Sequence, residues 1–171
     1  MKFSQINLVL LLIFGLSAGA VAGGVAADES CEKGYVGVEL FASCAVGELD
    51  SVVVVPEKKK TILGLYMTAK QAYATVSKYS EKLLFVDTRT AEEINFLGMP
   101  TLVDASIPYM QIPEWKGWDE KSRSLKLETN PDFAPRVAQW LNKKGLNKGD
   151  MVILMCRSGD RSAKAADLLA N

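Results

Sequence analysis

The strongest local signal for chemistry in this chain is Cys156-Arg157-Ser158-Gly159-Asp160-Arg161-Ser162. It follows the apolar run Met151-Val152-Ile153-Leu154-Met155 and precedes a stretch with helical spacing. A tight turn from a strand into a helix points successive backbone N–H groups inward. Together with the helix N-terminus, such a nest stabilises an anion. The anion expected here is the Cys156 thiolate. Arg157 and Arg161 add positive charge and can hold an anionic reactant. Gly159 supplies a backbone conformation that other residues resist. A core cysteine, a small buried hydrophobe, has no need of two flanking arginines and a glycine.

The chain has no histidine. That excludes a Ser-His-Asp hydrolase, a Cys-His protease and a His-ligated zinc site. Any cysteine nucleophile must therefore be activated by loop amides and arginines rather than by an imidazole. No metal site and no cofactor are expected.

The elements that must position this loop are legible from periodicity. Thr68 followed by Gln71 is a capping-box signature, and Ala69, Ala72, Tyr73 and Val76 then recur at helical spacing. Leu83-Leu84-Phe85-Val86 is a short apolar run of the kind buried on both faces of a sheet. It ends in Asp87-Thr88-Arg89, with Glu92 and Glu93 in a short helix beyond. Thr101-Leu102-Val103 is read as another short strand. Residues 111–130, with Trp115 and Trp118, are read as a long loop. A helix is predicted from Asn130 as cap and Pro131 in the first turn, with Phe133, Val137, Trp140 and Leu141 on one face and Gly145 at its end. Ser162 to Ala170 is the last helix. Buried strands alternating with helices predict an α/β layered domain with a mainly parallel central sheet. In such sheets ligands bind at the carboxyl ends of the strands, where Cys156 lies.

The chain's 171 residues fit a single domain of ordinary size. Twenty basic residues balance twenty acids, so nothing points to nucleic acid or to a polybasic membrane patch. The Lys58-Lys59-Lys60 run is read as a solvated loop. The N-terminus has the pattern of a secretion signal: Lys2, an apolar stretch from Ile6 to Phe14, then small residues. Cleavage after Ala27 or after Ala22 fits the pattern, and the core is short for a membrane anchor. The expected organisation is a signal peptide over 1–27, an N-terminal extension over 28–60 that includes a strand at Val52–Val55, and one domain over 61–171. The protein is expected to be exported: periplasmic if bacterial, otherwise secreted. Cys31 and Cys44 lie close together near the mature N-terminus. Either they form a local disulfide, which leaves Cys156 as the unpaired thiol, or all three cysteines are unrelated small core residues.

With those residues in place, the chain resembles the rhodanese family. Cys156 to Arg161 resembles the family's six-residue active loop. Leu84-Phe85-Val86-Asp87-Thr88-Arg89-Thr90-Ala91-Glu92-Glu93 resembles its first block, an apolar strand ending in Asp-x-Arg before an acidic helix. Ala105-Ser106-Ile107-Pro108 resembles the block that returns to the sheet. The resemblance covers roughly residues 65–171. It implies a rhodanese-like fold and a sulfurtransferase that carries sulfane sulfur as a Cys156 persulfide. The donor would be thiosulfate or another persulfide, and the acceptor cyanide or a thiol. Arg157, Ser158, Gly159, Asp160, Arg161 and Ser162 would form the substrate cradle. Asp87 and Arg89 would brace it from the neighbouring strand. Asp160 either orients an arginine or is a solvated loop acid.

The chain departs from the family in two places. Gly98-Met99-Pro100-Thr101-Leu102-Val103-Asp104-Ala105 replaces the usual His-Ile-Pro-Gly-Ala-type segment. The chain also ends one helix after the loop, where family members continue with another strand; this end is read as either a natural end or a truncation. Competing functions are a slow persulfide carrier that docks with a sulfur-metabolism partner, for which the Trp115–Trp118 loop is the candidate surface, and a rhodanese-like binding module. Phosphatase and arsenate reductase chemistry is disfavoured. Tyrosine phosphatases place arginine six residues after the cysteine, where this chain has Ser162.

Overall fold

A computed structural model of the chain describes residues 8–11, 55–113 and 117–171. Its elements, in chain order, are β1 (Leu8–Leu11), β2 (Tyr66–Met67), α1 (Ala69–Tyr79), β3 (Leu83–Asp87), α2 (Ala91–Leu97) and β4 (Ala105–Ser106). There follow β5 (Met110–Gln111), β6 (Trp118–Asp119), β7 (Ser124–Leu125), β8 (Glu128–Thr129), α3 (Phe133–Lys143), β9 (Met151–Met155) and α4 (Asp160–Ala170). The central sheet runs β2-β1-β9-β3-β4, and every pairing in it is parallel. The chain is thus a mixed α/β protein with a parallel sheet flanked by helices, as the alternation of runs and helical stretches predicted.

The two long strands are buried along their whole length because helices cover both faces of the sheet. Successive side chains of a strand point to opposite faces. Leu84, Val86, Val152 and Leu154 face one core with Phe133, Val137 and Leu141 of α3 and Ala163, Ala165, Ala166 and Leu169 of α4. Leu83, Phe85, Met151, Ile153 and Met155 face the other, with Ala72 and Val76 of α1. Small residues on α4 let that helix lie close to the sheet, and Phe133 fills the space at its neighbour, edge-on to Tyr109.

Local chemistry sets the helix ends. Thr68 and Gln71 form the predicted capping box of α1. Gly145, at φ 73°, ends α3: its N–H donates to the Asn142 carbonyl while the Leu146 N–H reaches Leu141. This double closure is what a left-handed residue makes possible after a helix.

Several expectations are corrected. Helix α3 begins at Phe133 with Asp132 as its cap, because Asn130 is used otherwise. Its side chain accepts from the Asp132 N–H and donates to the Pro108 carbonyl, pinning the turn before the helix. Thr101-Leu102-Val103 is a turn, and the edge strand forms later, at Ala105–Ser106. Residues 111–130 are not one long loop: β5 pairs with β8 and β6 with β7, both antiparallel. Helix α4 starts at Asp160, two residues before the expected Ser162. Lys59 is not solvated but 7% exposed, on a short 3-10 turn over Glu57–Lys59 that packs against α4.

Leu8–Leu11, within the segment read as a secretion signal, run parallel between β2 and β9, pairing Leu8 with Val152 and Leu11 with Met155. The expected cleavage points, the Cys31–Cys44 pair, Trp115 and all but the last residue of the strand expected at Val52–Val55 lie outside the described residues. Among the described residues, no helix is long and apolar enough to cross a membrane.

Candidate active site

Strands β3 and β9 are in register from Leu83 against Met151 to Asp87 against Met155. Their carboxyl ends are therefore flush, and the segments that leave them, Thr88-Arg89 and Cys156 onward, emerge side by side. Thr88 fixes the junction. Its N–H and its hydroxyl both donate to the Met155 carbonyl, each at 2.8 Å. That carbonyl belongs to the residue immediately before the thiol. Thr88 was not singled out from sequence, because a threonine at a strand end carries no distinctive local signal.

Cys156 is 1% exposed. Its Sγ accepts a hydrogen bond from the Gly159 N–H at 3.1 Å and lies 3.4 Å from the Ser162 hydroxyl. Gly159 adopts φ 90°, a left-handed conformation in which a side chain would be strained. It is also the residue from which α4 departs, and its carbonyl accepts from Ala163. The thiol thus sits against the amino end of a helix, with one loop amide aimed at it. This position favours negative charge on sulfur.

The remaining loop residues divide by role. Asp160 accepts from the Ser158 hydroxyl at 2.8 Å and stands in the first turn of α4, where an acid complements the helix dipole. Ser162 is buried, and its hydroxyl can turn to the Gly159 carbonyl at 3.3 Å as well as to the sulfur. Arg157 is exposed. Arg161 is half-buried and grips Glu93 of α2 with both terminal guanidinium nitrogens, Nη2 at 2.7 Å. The Glu93 carboxyl is pulled down from an ordinary 4.5 to about 2, first by the hydrogen bond from Arg161 and further by the backbone N–H of Thr90. Reciprocally, the pair raises Arg161, whose charge also feels Cys156. Among the described residues no carboxylate forms an ion pair with Arg157, although its field reaches Glu93.

Glu93 is the member that the sequence reading placed on a helix without giving it a part in the site. A signal existed. Thr90-Ala91-Glu92-Glu93 is a capping box, and the structure forms it, with Thr90 N–H donating to Glu93 at 3.0 Å and Glu93 N–H to Thr90 at 3.4 Å. The cap fixes the carboxylate at the start of α2, facing the start of α4.

Asp87 and Arg89 form the second charged unit. Asp87 is fully buried and accepts from the Arg89 N–H at 3.0 Å and from its guanidinium at 2.6–3.0 Å. Arg89 also donates to the Gly98 carbonyl at 2.9 Å, so it closes the end of α2. The hydrogen bonds that its guanidinium donates to Asp87 raise Arg89 above its usual value. Neither residue makes a described hydrogen bond to the Cys156 loop; Asp87 and Arg89 hold the strand end and the turn beside it. Arg161 feels the charge of Asp87 and Arg89 feels that of Arg161.

The loop therefore offers one buried sulfur, one aimed amide, one exposed arginine next to Cys156 in the chain and one arginine already bound to a carboxylate. Among the described residues no group of three or more carboxylate, thiol or imidazole side chains is placed to hold a metal ion. No family model, no curated protein and no solved structure matches the chain.

Proposed function

We propose that the chain is a rhodanese-like sulfurtransferase working through a Cys156 persulfide. The observation that carries this reading is the hydrogen bond from the Gly159 N–H to Cys156 Sγ at the start of α4. A thiolate held by an amide and a helix terminus needs no imidazole, and the chain has none. The thiolate attacks the outer sulfur of thiosulfate. The new Cys156 S–S bond takes the place of the donor's S–S bond, and sulfite leaves with the bonding pair. Cyanide or a thiolate then attacks the terminal sulfur of the persulfide and releases the Cys156 thiolate. Charge and sulfur balance in both steps, and no external oxidant is needed. Arg157 holds the sulfonate end of the donor, and the loop amides stabilise the charged sulfur.

The Arg161–Glu93 pair supports sulfur over phosphate. A phosphate cradle needs an arginine fork open to the oxyanion, whereas this fork is already on a carboxylate.

Mass spectrometry of the intact protein after incubation with thiosulfate tests the reading. The expected result is a gain of one sulfur atom, absent in Cys156→Ala, and removal of that sulfur by cyanide with release of thiocyanate. Failure to load sulfur from thiosulfate or from any persulfide donor would overturn it. Loading without turnover would instead identify a carrier.

A further inference from the structure

The peptide group that joins Ser158 to Gly159 has a partner at each end. Its N–H donates to Cys156 Sγ at 3.1 Å. Its carbonyl oxygen accepts from the ammonium of Lys59. In a trans peptide the C=O and N–H point in opposite directions, so the cation and the sulfur sit at the two poles of one dipole. A cation at the oxygen polarises the group and makes its N–H a stronger donor, as happens along hydrogen-bond chains in a poorly screened site.

Lys59 is well placed to act this way. It is 7% exposed, and burying an ammonium is costly unless it is hydrogen-bonded. The turn that carries it is held against α4, and just beyond it the Ile62 N–H donates to Asp167 at 2.8 Å. Its neighbours Lys58 and Lys60 are exposed, and Lys60 pairs with Glu57 instead. One lysine of three is thus built into the Cys156 loop from a segment 99 residues away in sequence.

We infer that Lys59 is a positioning residue for Cys156: through the Ser158–Gly159 peptide it fixes the aimed amide and stabilises negative charge on the sulfur. This rests on the reading of Cys156 as a working thiolate. It assigns to the segment before the domain a part in the chemistry that neither the lysine run nor the cysteine loop discloses.

The test is the pH dependence of Cys156 alkylation by iodoacetamide, followed by mass on the tryptic peptide 149–157, so that Cys31 and Cys44 do not contribute. In Lys59→Met the midpoint of the rate profile is expected to rise by about one pH unit, the scale of a lost charge-assisted interaction. Lys59→Arg is expected to restore the wild-type midpoint, and Lys58→Met to leave it unmoved. Should Lys59→Met fail to fold by circular dichroism, Lys59→Gln, which keeps a neutral donor, is read in the same way. A folded variant without the ammonium that keeps the wild-type midpoint overturns the inference, whatever its melting temperature, because Lys59 then only holds its segment in place. Sulfur loading of the wild-type chain is scored separately. A chain that loads sulfur but shows no midpoint shift defeats the role of Lys59, while a shift without loading defeats sulfur transfer.

Discussion

The guanidinium of Arg161 holds both carboxylate oxygens of Glu93, joining the first turn of α4 to the first turn of α2 across 68 residues of sequence. Each partner also belongs to a local device, Arg161 to the cysteine loop and Glu93 to the capping box with Thr90. The pair therefore couples the placement of α2 to the loop that carries the thiol.

Acid should weaken this coupling in a defined window. Glu93 titrates near 2 when folded and near its ordinary 4.5 when unfolded. Its contribution is fully present above 4.5 and is lost as pH falls from 4.5 through 2, because the unfolded chain takes up the proton first. Denaturant unfolding measured from pH 6 to pH 2 should show a shallower loss of stability in Glu93→Gln than in wild type. Parallel curves would mean that the pair contributes nothing.

The two loop arginines should separate by phenotype. Arg157 is exposed, so Arg157→Ala should leave the melting temperature within a degree or so of wild type. If the chain transfers sulfur as proposed, the KM for thiosulfate should rise about tenfold, the scale of one charge-assisted contact. Arg161→Ala strips Glu93 of its partner and should lower the melting temperature. Equal effects of both variants on KM alone, with stability untouched, would contradict the assignment of Arg161 to Glu93.

Asp87→Asn should cost about 3 kcal/mol of folding stability, the scale for breaking a buried pair from one side. The carboxylate is fully buried and meets both the backbone N–H and the guanidinium of Arg89. Urea unfolding measures this directly. A loss below about 0.5 kcal/mol, typical of surface substitutions, would show that the pair is not a structural brace.

Gly159→Ala should cost about 1–2 kcal/mol from forcing a side chain into a left-handed conformation, since the residue sits at φ 90°. If the loop relieves that strain by rotating, the amide turns away from Cys156 and sulfur loading slows more than stability falls. Unchanged loading kinetics in a folded Gly159→Ala protein would remove the aimed amide from the proposed mechanism.

How much of this was legible depends on the range of the interaction concerned. The Thr68–Gln71 cap, the buried runs at Leu83–Val86 and Met151–Met155, the Gly145 stop and the strand-to-helix junction at Cys156 all follow from residues within a few positions of one another. The errors came where a local signal was overridden. Asn130 looked like a helix cap but is tied to the Pro108 carbonyl, so α3 starts at Phe133. The charged stretch after residue 111 looked like a loop but forms two-residue ladders, whose pairing is too short to leave a periodic pattern.

From the order of residues alone follow the α/β layout, the place of Cys156 at the carboxyl end of a buried strand, and the absence of any imidazole to partner it. Periodicity, caps and turn glycines act between near neighbours, so they can be read from a string of residues. The folded chain alone reveals that Arg161 belongs to Glu93, that Thr88 clamps the Met155 carbonyl, and that Lys59 lies buried against Ser158. Those are contacts between charges and dipoles far apart in the chain. A charged side chain has the same sequence signature in solvent and in an ion pair, and only the folded packing, through burial and distance, fixes which of the two it has.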